Sequence, residues 1–121
     1  MHKIELSISH TDSRGVILDL VVGRMDAATL ISFEVDAIRG NHVHAETTQW
    51  TYVLEGEIIA HSIKSDGQPI SQTFGRGDMF VSFPGEPHAI KAKEKSQVIV
   101  FTQGPRSGED YASDTKHFKL I

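Results

Sequence analysis

Four residues with metal-ligand chemistry lie in two short tracts of the chain. His42 and His44 are separated by one residue, Gln49 follows shortly after, and His88 lies some forty residues downstream. Alternate side chains of a strand point to one face, so His42 and His44 face the same way. Residues 45–48 are enough for a turn that places Gln49 on a neighbouring strand. The sequence therefore predicts a divalent-metal site with four ligands: His42, His44, Gln49 and His88.

The donor types leave the identity of the metal open. Imidazole binds Zn, Ni, Mn and Fe alike, and the carbonyl oxygen of Gln49 is a hard neutral donor. Without an anionic ligand the complex keeps its full positive charge, which favours Lewis-acid chemistry on a bound water or enediol. In the alternative interpretation, the same histidines merely line a polar barrel mouth. The spacing of four such residues favours the metal.

The composition excludes several classes of protein. A chain of 121 residues suits one domain with a continuous core, and we predict a single domain over residues 1–121. The formal net charge of −4 provides no basic surface for nucleic acid. Cysteine is absent, which excludes disulfides and thiol catalysis and is typical of a reducing compartment. With neither a secretion signal nor an apolar run near the ~20 residues of a membrane span, we predict a cytoplasmic protein that does not bind membranes.

Short apolar runs alternate with turn residues, as is typical of strands. The runs cover residues 15–22, 29–38, 50–54, 57–64, 69–74, 79–83, 88–93 and 98–102. None reads as a long amphipathic helix. Six to ten short strands with glycine-containing turns predict an all-β fold, an antiparallel sandwich or barrel in two sheets. The tail from residue 104 onwards is expected to be irregular, with its apolar end docked on the barrel or on a second subunit.

The spacing of the histidines and glycines resembles the two motifs of the cupin superfamily. The positions that match the first motif are His42, His44, Gln49 and Gly56. The positions that match the second motif are Gly77, Gly85 and His88. The match spans residues 36–92, and it implies a single cupin barrel (a double-stranded β-helix or jelly roll) of the small metal-binding type.

The departures from these motifs fall mainly on structural positions. Asp36, Phe83 and Ala92 replace a glycine, a proline and an asparagine of the family pattern. Gln49 stands where the family has glutamate, and this exchange removes a negative charge from the ligand set. Of these departures, the exchange of glutamate for Gln49 is the one that would change the chemistry of the metal site.

Four further residues are predicted to contact a small-molecule substrate. Arg39 precedes the histidine strand, and in epimerase-type cupins an arginine near this position meets the substrate's phosphates. It is equally well placed for a surface charge at a strand end. Phe33 and Phe101 are expected to form an apolar wall, and Thr51 shares the strand face of Gln49. The remaining histidines are expected at the surface: His2, His10, His61 and His117.

The resemblance implies a Lewis-acid enzyme that isomerises, epimerises or ring-opens a small sugar, uronate or keto-acid. No general base stands out in the sequence. Two alternatives therefore stay open: a metal-dependent dioxygenase with the same ligands, and a non-catalytic module that binds a sugar or another small ligand. A homodimer is expected, because a second copy commonly covers the edge strands of small barrels.

Overall fold

The computed structural model describes residues 1–121 and consists mainly of short strands. The strands are β1 (His2–Ile4), β2 (Ile8–Asp12), β3 (Gly15–Leu18), β4 (Ala27–Phe33), β5 (Ile38–His44), β6 (Thr48–Glu55), β7 (Glu57–Ile63), β8 (Pro69–Gly75), β9 (Met79–Ser82), β10 (His88–Ala92), β11 (Ser96–Gln103) and β12 (Thr115–His117). One helix, α1 (Gly108–Asp114), lies between β11 and β12. The chain contains no helix of the length and apolarity that crossing a membrane would require.

Ten of the strands form two five-stranded antiparallel sheets, which we call sheet I and sheet II. Sheet I has the order β1-β9-β6-β11-β4, and sheet II has the order β12-β5-β10-β7-β8. The remaining strands, β2 and β3, form a separate hairpin. The all-β jelly-roll architecture predicted from the sequence is confirmed, with two strands and one helix more than expected.

The two sheets pack face to face through alternating side chains. On β6, Thr51 and Val53 are buried between the sheets, whereas Trp50 and Tyr52 lie on the outer face and are only partly covered. The central cluster joins residues of both sheets: Phe33, Val53, Ile58, Ala60, Phe74, Phe80, Ala92, Val98 and Val100. Burial of this apolar surface provides the main driving force for closing the sandwich.

The inward side chains change from apolar to polar along the central strands of sheet I. On β11, after the buried Ser96 at the start of the strand, the buried residues run from Val98 through Val100 to Thr102. On β6, Gln49 pairs in register with Thr102, at the end of the strand away from Val53. One end of the sandwich is therefore filled by the core, and the other end is lined by groups that can bind a polar ligand.

Candidate metal centre

Three of the predicted ligands lie together on two adjacent strands of sheet II. His42 and His44 are on β5, His88 is on β10, and His42 lies directly opposite His88 in the strand register. One ring nitrogen from each histidine lies within 4.8 Å of the other two. The ring centroids of His42 and His88 are 4.5 Å apart, and those of His44 and His88 are 5.3 Å apart. This convergence is close enough for one ion to bind all three.

The ring of His44 is held from behind by the last part of the chain. Its Nδ1 lies 3.0 Å from the Thr115 hydroxyl and 3.3 Å from a carboxylate oxygen of Asp114. An ionised carboxylate can only accept a hydrogen bond, so the proton of His44 is assigned to Nδ1. Nε2 then carries the lone pair, and it is buried without a hydrogen-bond partner. A carboxylate behind an imidazole is the usual support of a metal-binding histidine.

Asp114 is itself fixed by two hydrogen bonds. It accepts the Thr47 hydroxyl at 2.5 Å and the backbone N–H of Glu46 at 2.6 Å. Burial opposes ionisation of this carboxyl, but the bonds from Thr47 and Glu46 and the proximity of His44 together lower its pKa. Asp114 therefore stays charged at neutral pH and orients His44.

All three histidines are neutral at neutral pH. Burial, followed by the proximity of the other rings, lowers the pKa of His42 to about 4 and that of His88 to about 3. Burial also lowers the pKa of His44, although Asp114 opposes this effect. The Nδ1 atom of His88 is buried and has no hydrogen-bond partner, like Nε2 of His44. Buried nitrogens without partners are costly, and a metal bound at the cluster would give Nε2 of His44 a partner.

A pocket of about 220 Å³ adjoins the histidines and lies between the two sheets. His42 and His88 line it from sheet II, and Gln49, Thr51 and Phe33 line it from sheet I. Gln49 therefore faces the same space as two of the histidines, and its role as a fourth ligand stays a prediction. Half of the residues that line the pocket are hydrophobic, so the pocket offers apolar contacts beside its polar groups.

Phe101 does not line this pocket, so its assignment to the apolar wall was wrong. On β11 the buried residues are Ser96, Val98, Val100 and Thr102, and the residues between them point to the outer face. Phe101 lies on that outer face, opposite Trp50 in the register. Strand alternation places Val100 in the pocket instead.

Two guanidinium groups stand among the lining residues. Both Nε and Nη2 of Arg39 donate to the Ser32 carbonyl, at 3.3 and 3.2 Å, and the group lies over the Phe33 ring at 5.4 Å. Arg106 lies 5.7 Å from the centre of the Tyr111 ring. Arg39 and Arg106 both line the pocket with donors free for an anionic group, and the contact of Arg39 with a substrate stays a prediction.

Three residues of the centre do not emerge from the sequence patterns: Tyr111, Asp114 and Thr115. Tyr111 lines the pocket, and its ring centre is 6.0 Å from that of His44. Thr115 reaches the site because β12 pairs with β5, with Thr115 opposite His44. No local pattern links residues this far apart, so only the strand pairing could have located them.

Comparison with known proteins places this fold in a family. A family model described as Cupin matches residues 20–113. No curated protein matches the sequence. Among solved structures, CapF bound to 3-isopropenyl-tropolone is 15% identical with a TM-score of 0.71; the match covers 96% of this chain but only 34% of CapF, so this chain spans about a third of that protein.

Two shorter proteins match over most of their own length. The dTDP-4-dehydrorhamnose 3,5-epimerase from Sulfolobus tokodaii is 15% identical with a TM-score of 0.72, over 94% of this chain and 82% of that one. QdtA, a sugar 3,4-ketoisomerase from Thermoanaerobacterium thermosaccharolyticum solved with TDP, is 14% identical with a TM-score of 0.74, over 94% of this chain and 85% of that one. At these identities the likeness shows the fold. The family match covers well over half of the sequence and agrees with the two-sheet jelly roll and the histidine spacing: this chain belongs to the cupin family.

Proposed function

We propose that this cupin is a metal-dependent enzyme that isomerises, epimerises or ring-opens a small sugar, uronate or keto-acid. One observation carries the proposal: three neutral imidazoles converge within 4.8 Å, and two of their buried nitrogens have no hydrogen-bond partner. An imidazolium, protonated on both nitrogens, would not offer a lone pair, and neither would an imidazole whose acceptor nitrogen already takes a hydrogen bond. The ligands of the ion would be His42, His44, His88 and Gln49. Zn, Ni, Mn and Fe all suit this donor set.

A bound divalent ion would act as a Lewis acid that polarises a carbonyl of the substrate and makes the neighbouring C–H more acidic. The chain's own residues supply the rest of the site. Asp114 keeps the proton of His44 on Nδ1, and Phe33 and Thr51 shape the wall against which the substrate lies. Arg39 would hold a carboxylate or phosphate of the substrate at the edge of the pocket.

Tyr111 is the best-placed side chain for moving a proton once the histidines serve as ligands. The ionisable side chains that line the pocket are Arg39, His42, His88, Arg106 and Tyr111. Arginine stays protonated in proteins, so a phenol is the remaining group that could donate and accept a proton. We therefore assign the acid–base step to Tyr111 in this proposal.

One observation favours a second candidate function without a metal. His44 hydrogen-bonds to a buried carboxylate, and such a pair can also act as a general base. Tyr111 lies beside it and would serve as the matching acid. In this alternative the enzyme would epimerise a keto-sugar by direct proton transfer, and the names of two structural neighbours, a sugar epimerase and a sugar ketoisomerase, agree with it.

Elemental analysis combined with a product assay distinguishes these functions. The protein is purified without chelators, its metal content is measured, and it is incubated with keto-sugars, uronates, keto-acids and TDP-sugars with and without oxygen. Stoichiometric metal, with turnover that a chelator abolishes and Zn²⁺ or Ni²⁺ restores in either atmosphere, supports the proposal. Turnover by the metal-free protein would select the second candidate. Oxygen consumption would indicate a dioxygenase, and binding without product would indicate a non-catalytic module.

We also propose that the protein forms a homodimer. The hairpin of β2 and β3 presents exposed apolar side chains, with Ile8 and Val16 each 58% exposed. Leu30, on the edge strand β4, is 62% exposed. Apolar groups grouped on edge elements are commonly covered by a second copy. Light scattering that gives the mass of a monomer at micromolar concentration would contradict this.

A further inference from the structure

The strand that carries two of the histidines is interrupted just before His42. Gly40 and Asn41 both have positive φ, of 91° and 56°. In the pairing of β5 with β10, His42 lies opposite His88 and Gly40 lies opposite Ala89, so Asn41 is an extra residue on β5. This arrangement is a β-bulge, which bends a strand and changes the direction of its side chains.

The bulge explains an exception to strand alternation. Arg39 and His42 differ by three positions, so a regular strand would point them to opposite faces. Both nevertheless line the same pocket. Glycine is required at position 40 in this bend. A side chain there would place its Cβ 2.8 Å from the His88 carbonyl oxygen, which is too close. The direction of His42 therefore depends on the conformation of residues 40 and 41.

The positive φ of Asn41 is maintained by the end of the chain. Its side-chain Oδ1 accepts the backbone N–H of Leu120 at 2.8 Å and that of Ile121 at 3.2 Å, and its Nδ2 donates to the Ile121 carbonyl at 3.2 Å. Its own backbone carbonyl accepts the N–H of Phe118 at 2.8 Å. A side chain of this size can make few further hydrogen bonds, and these are all with one short segment.

The residues from 114 onwards form what we call the C-terminal segment (residues 114–121), which follows β5 along its histidine-bearing half. Asp114 and Thr115 contact the ring of His44, and β12 pairs with β5 so that His117 lies opposite His42. Further along the segment, Phe118, Leu120 and Ile121 form hydrogen bonds with Asn41. One continuous segment therefore supports both histidines of β5, one through its ring and the other through the bulge beside it.

We infer that Asn41 is a positioning residue, which couples docking of the C-terminal segment to the direction of the His42 donor. The inference rests on the proposed metal function for the consequence that it predicts: when the segment is released, the metal is bound more weakly. Because coupling between two binding events is reciprocal, a bound metal must also hold the segment more firmly. The segment and the centre then act as one cooperative unit.

The test compares three variants of the full chain with the parent. Asn41→Gly keeps the positive φ accessible but removes the side-chain hydrogen bonds. Asn41→Asp keeps the acceptor oxygens and tolerates the same conformation. Asp36→Gly is the matched control, because Asp36 also has a positive φ, of 66°, but makes no hydrogen bond with the C-terminal segment. Co²⁺ is the probe, with its visible spectrum and affinity followed by titration and amide exchange measured with and without the ion.

We expect Asn41→Gly to bind Co²⁺ about 10-fold more weakly, with an altered spectrum, and to exchange the amides of residues 118–121 about 10-fold faster. Asn41→Asp keeps the acceptor but loses the Nδ2 donor to the Ile121 carbonyl, so both values should fall between those of Asn41→Gly and the parent, and Asp36→Gly should change neither. In the parent, Co²⁺ should slow the exchange of residues 118–121. A merely structural role would speed exchange in Asn41→Gly while leaving the spectrum and affinity unchanged, and that outcome overturns the inference.

The same measurements separate failure of the inference from failure of the proposed function. If the parent and its His88→Ala variant show no difference in Co²⁺ binding, the metal function is wrong. The coupling is then decided by amide exchange in the ion-free protein. Faster exchange at residues 42–44 in Asn41→Gly, but not in Asp36→Gly, would support it, and unchanged exchange there would overturn it.

Discussion

Sheet II and sheet I contribute very different chemistry to the same pocket. Sheet II carries the three imidazoles on neighbouring strands, and Asp114 and Thr115 hold one of them by hydrogen bonds. Sheet I contributes one amide, from Gln49, among mainly apolar or hydroxyl-bearing side chains. Sheet II therefore supplies most of the donors that an ion would need, and sheet I supplies much of the pocket wall. If the proposed metal function holds, changes in sheet II should have the largest effects on ion affinity and the change at Gln49 in sheet I the smallest.

Loss of a sheet II donor should have the largest effect. We expect His88→Ala to weaken Zn²⁺ binding by at least about 100-fold, because it removes one ligand and leaves the others too few to hold the ion. Isothermal titration measures the affinity. His61→Ala is the control, since His61 is on the same sheet but lies between the inward residues Ala60 and Ser62 and points away from the centre. Equal affinities in the two variants would remove His88 from the ligand set.

Loss of the Asp114 carboxylate, which holds the His44 ring, should have the next largest effect on Zn²⁺ affinity. Asp114→Asn keeps the volume of the side chain but removes the charge that holds the proton of His44 on Nδ1. We expect Zn²⁺ affinity to fall about 30-fold, within the range found for outer partners of metal ligands. Asp110→Asn, on the exposed part of α1, is the matched control. An unchanged affinity would show that His44 is oriented by its strand alone.

The stability of the metal-free protein should depend on pH because His42 and His88 of sheet II titrate differently in the folded and unfolded chain. The pKa of His42 is about 4 and that of His88 about 3 in the folded chain, against about 6.5 when unfolded. The unfolded chain therefore binds more protons below pH 6.5, so this part of the stability is full above pH 6.5 and is lost as the pH falls towards these values.

Between pH 7.5 and pH 4.5, we expect the free energy of unfolding to fall by about 3–5 kcal/mol, of which the buried His88 contributes more than the half-buried His42. Urea denaturation of the metal-free protein at both values measures the change. A His42→Asn/His88→Asn double variant should show a smaller dependence, because its neutral side chains do not titrate. A parent protein that is equally stable at both pH values would contradict the buried, neutral state of these rings.

Loss of the Gln49 amide of sheet I should have the smallest effect on Zn²⁺ affinity. We expect Gln49→Ala to weaken Zn²⁺ binding about fivefold, because a neutral carbonyl oxygen can be replaced by water. Gln49→Glu should bind more tightly than the parent, since it adds a negative charge to the ligand set. Gln97→Ala, at an exposed position of the same sheet, serves as the control. A loss as large as that of His88→Ala would mean that the two sheets share the affinity equally.

The fold and the shared face of His42 and His44 could be predicted from the sequence because both depend on local spacing, whereas His88 is found through its match to the second cupin motif. The alternation around Val53 and the glycine-containing turns fix which side chains point inward, and the pair His42 and His44 shares a face for the same reason. The eight expected apolar runs all coincide with observed strands, although their ends differ by a few residues. Where one face of a strand is buried, local periodicity is sufficient to predict the strand and the direction of its side chains.

The remainder of the site depends on contacts between distant parts of the chain. Asp114 contacts His44 across 70 residues of sequence, and nothing near residue 114 distinguishes it from the other carboxylates of α1. The error at Phe101 has a different origin, because its hydrophobicity suits either face of β11 and only the register decides. Asn41 shows a third limit, since its bulge breaks the alternation on which the prediction rests.

The two buried imidazole nitrogens without partners, on His44 and His88, bear on how long the protein survives in a cell. An ion that binds the folded chain alone would stabilise it by about 2.7 kcal/mol when its free concentration is a hundred times the dissociation constant. Chains made during ion shortage would open more often and be degraded sooner. The abundance of this cupin would then follow the supply of its ion without any dedicated regulator.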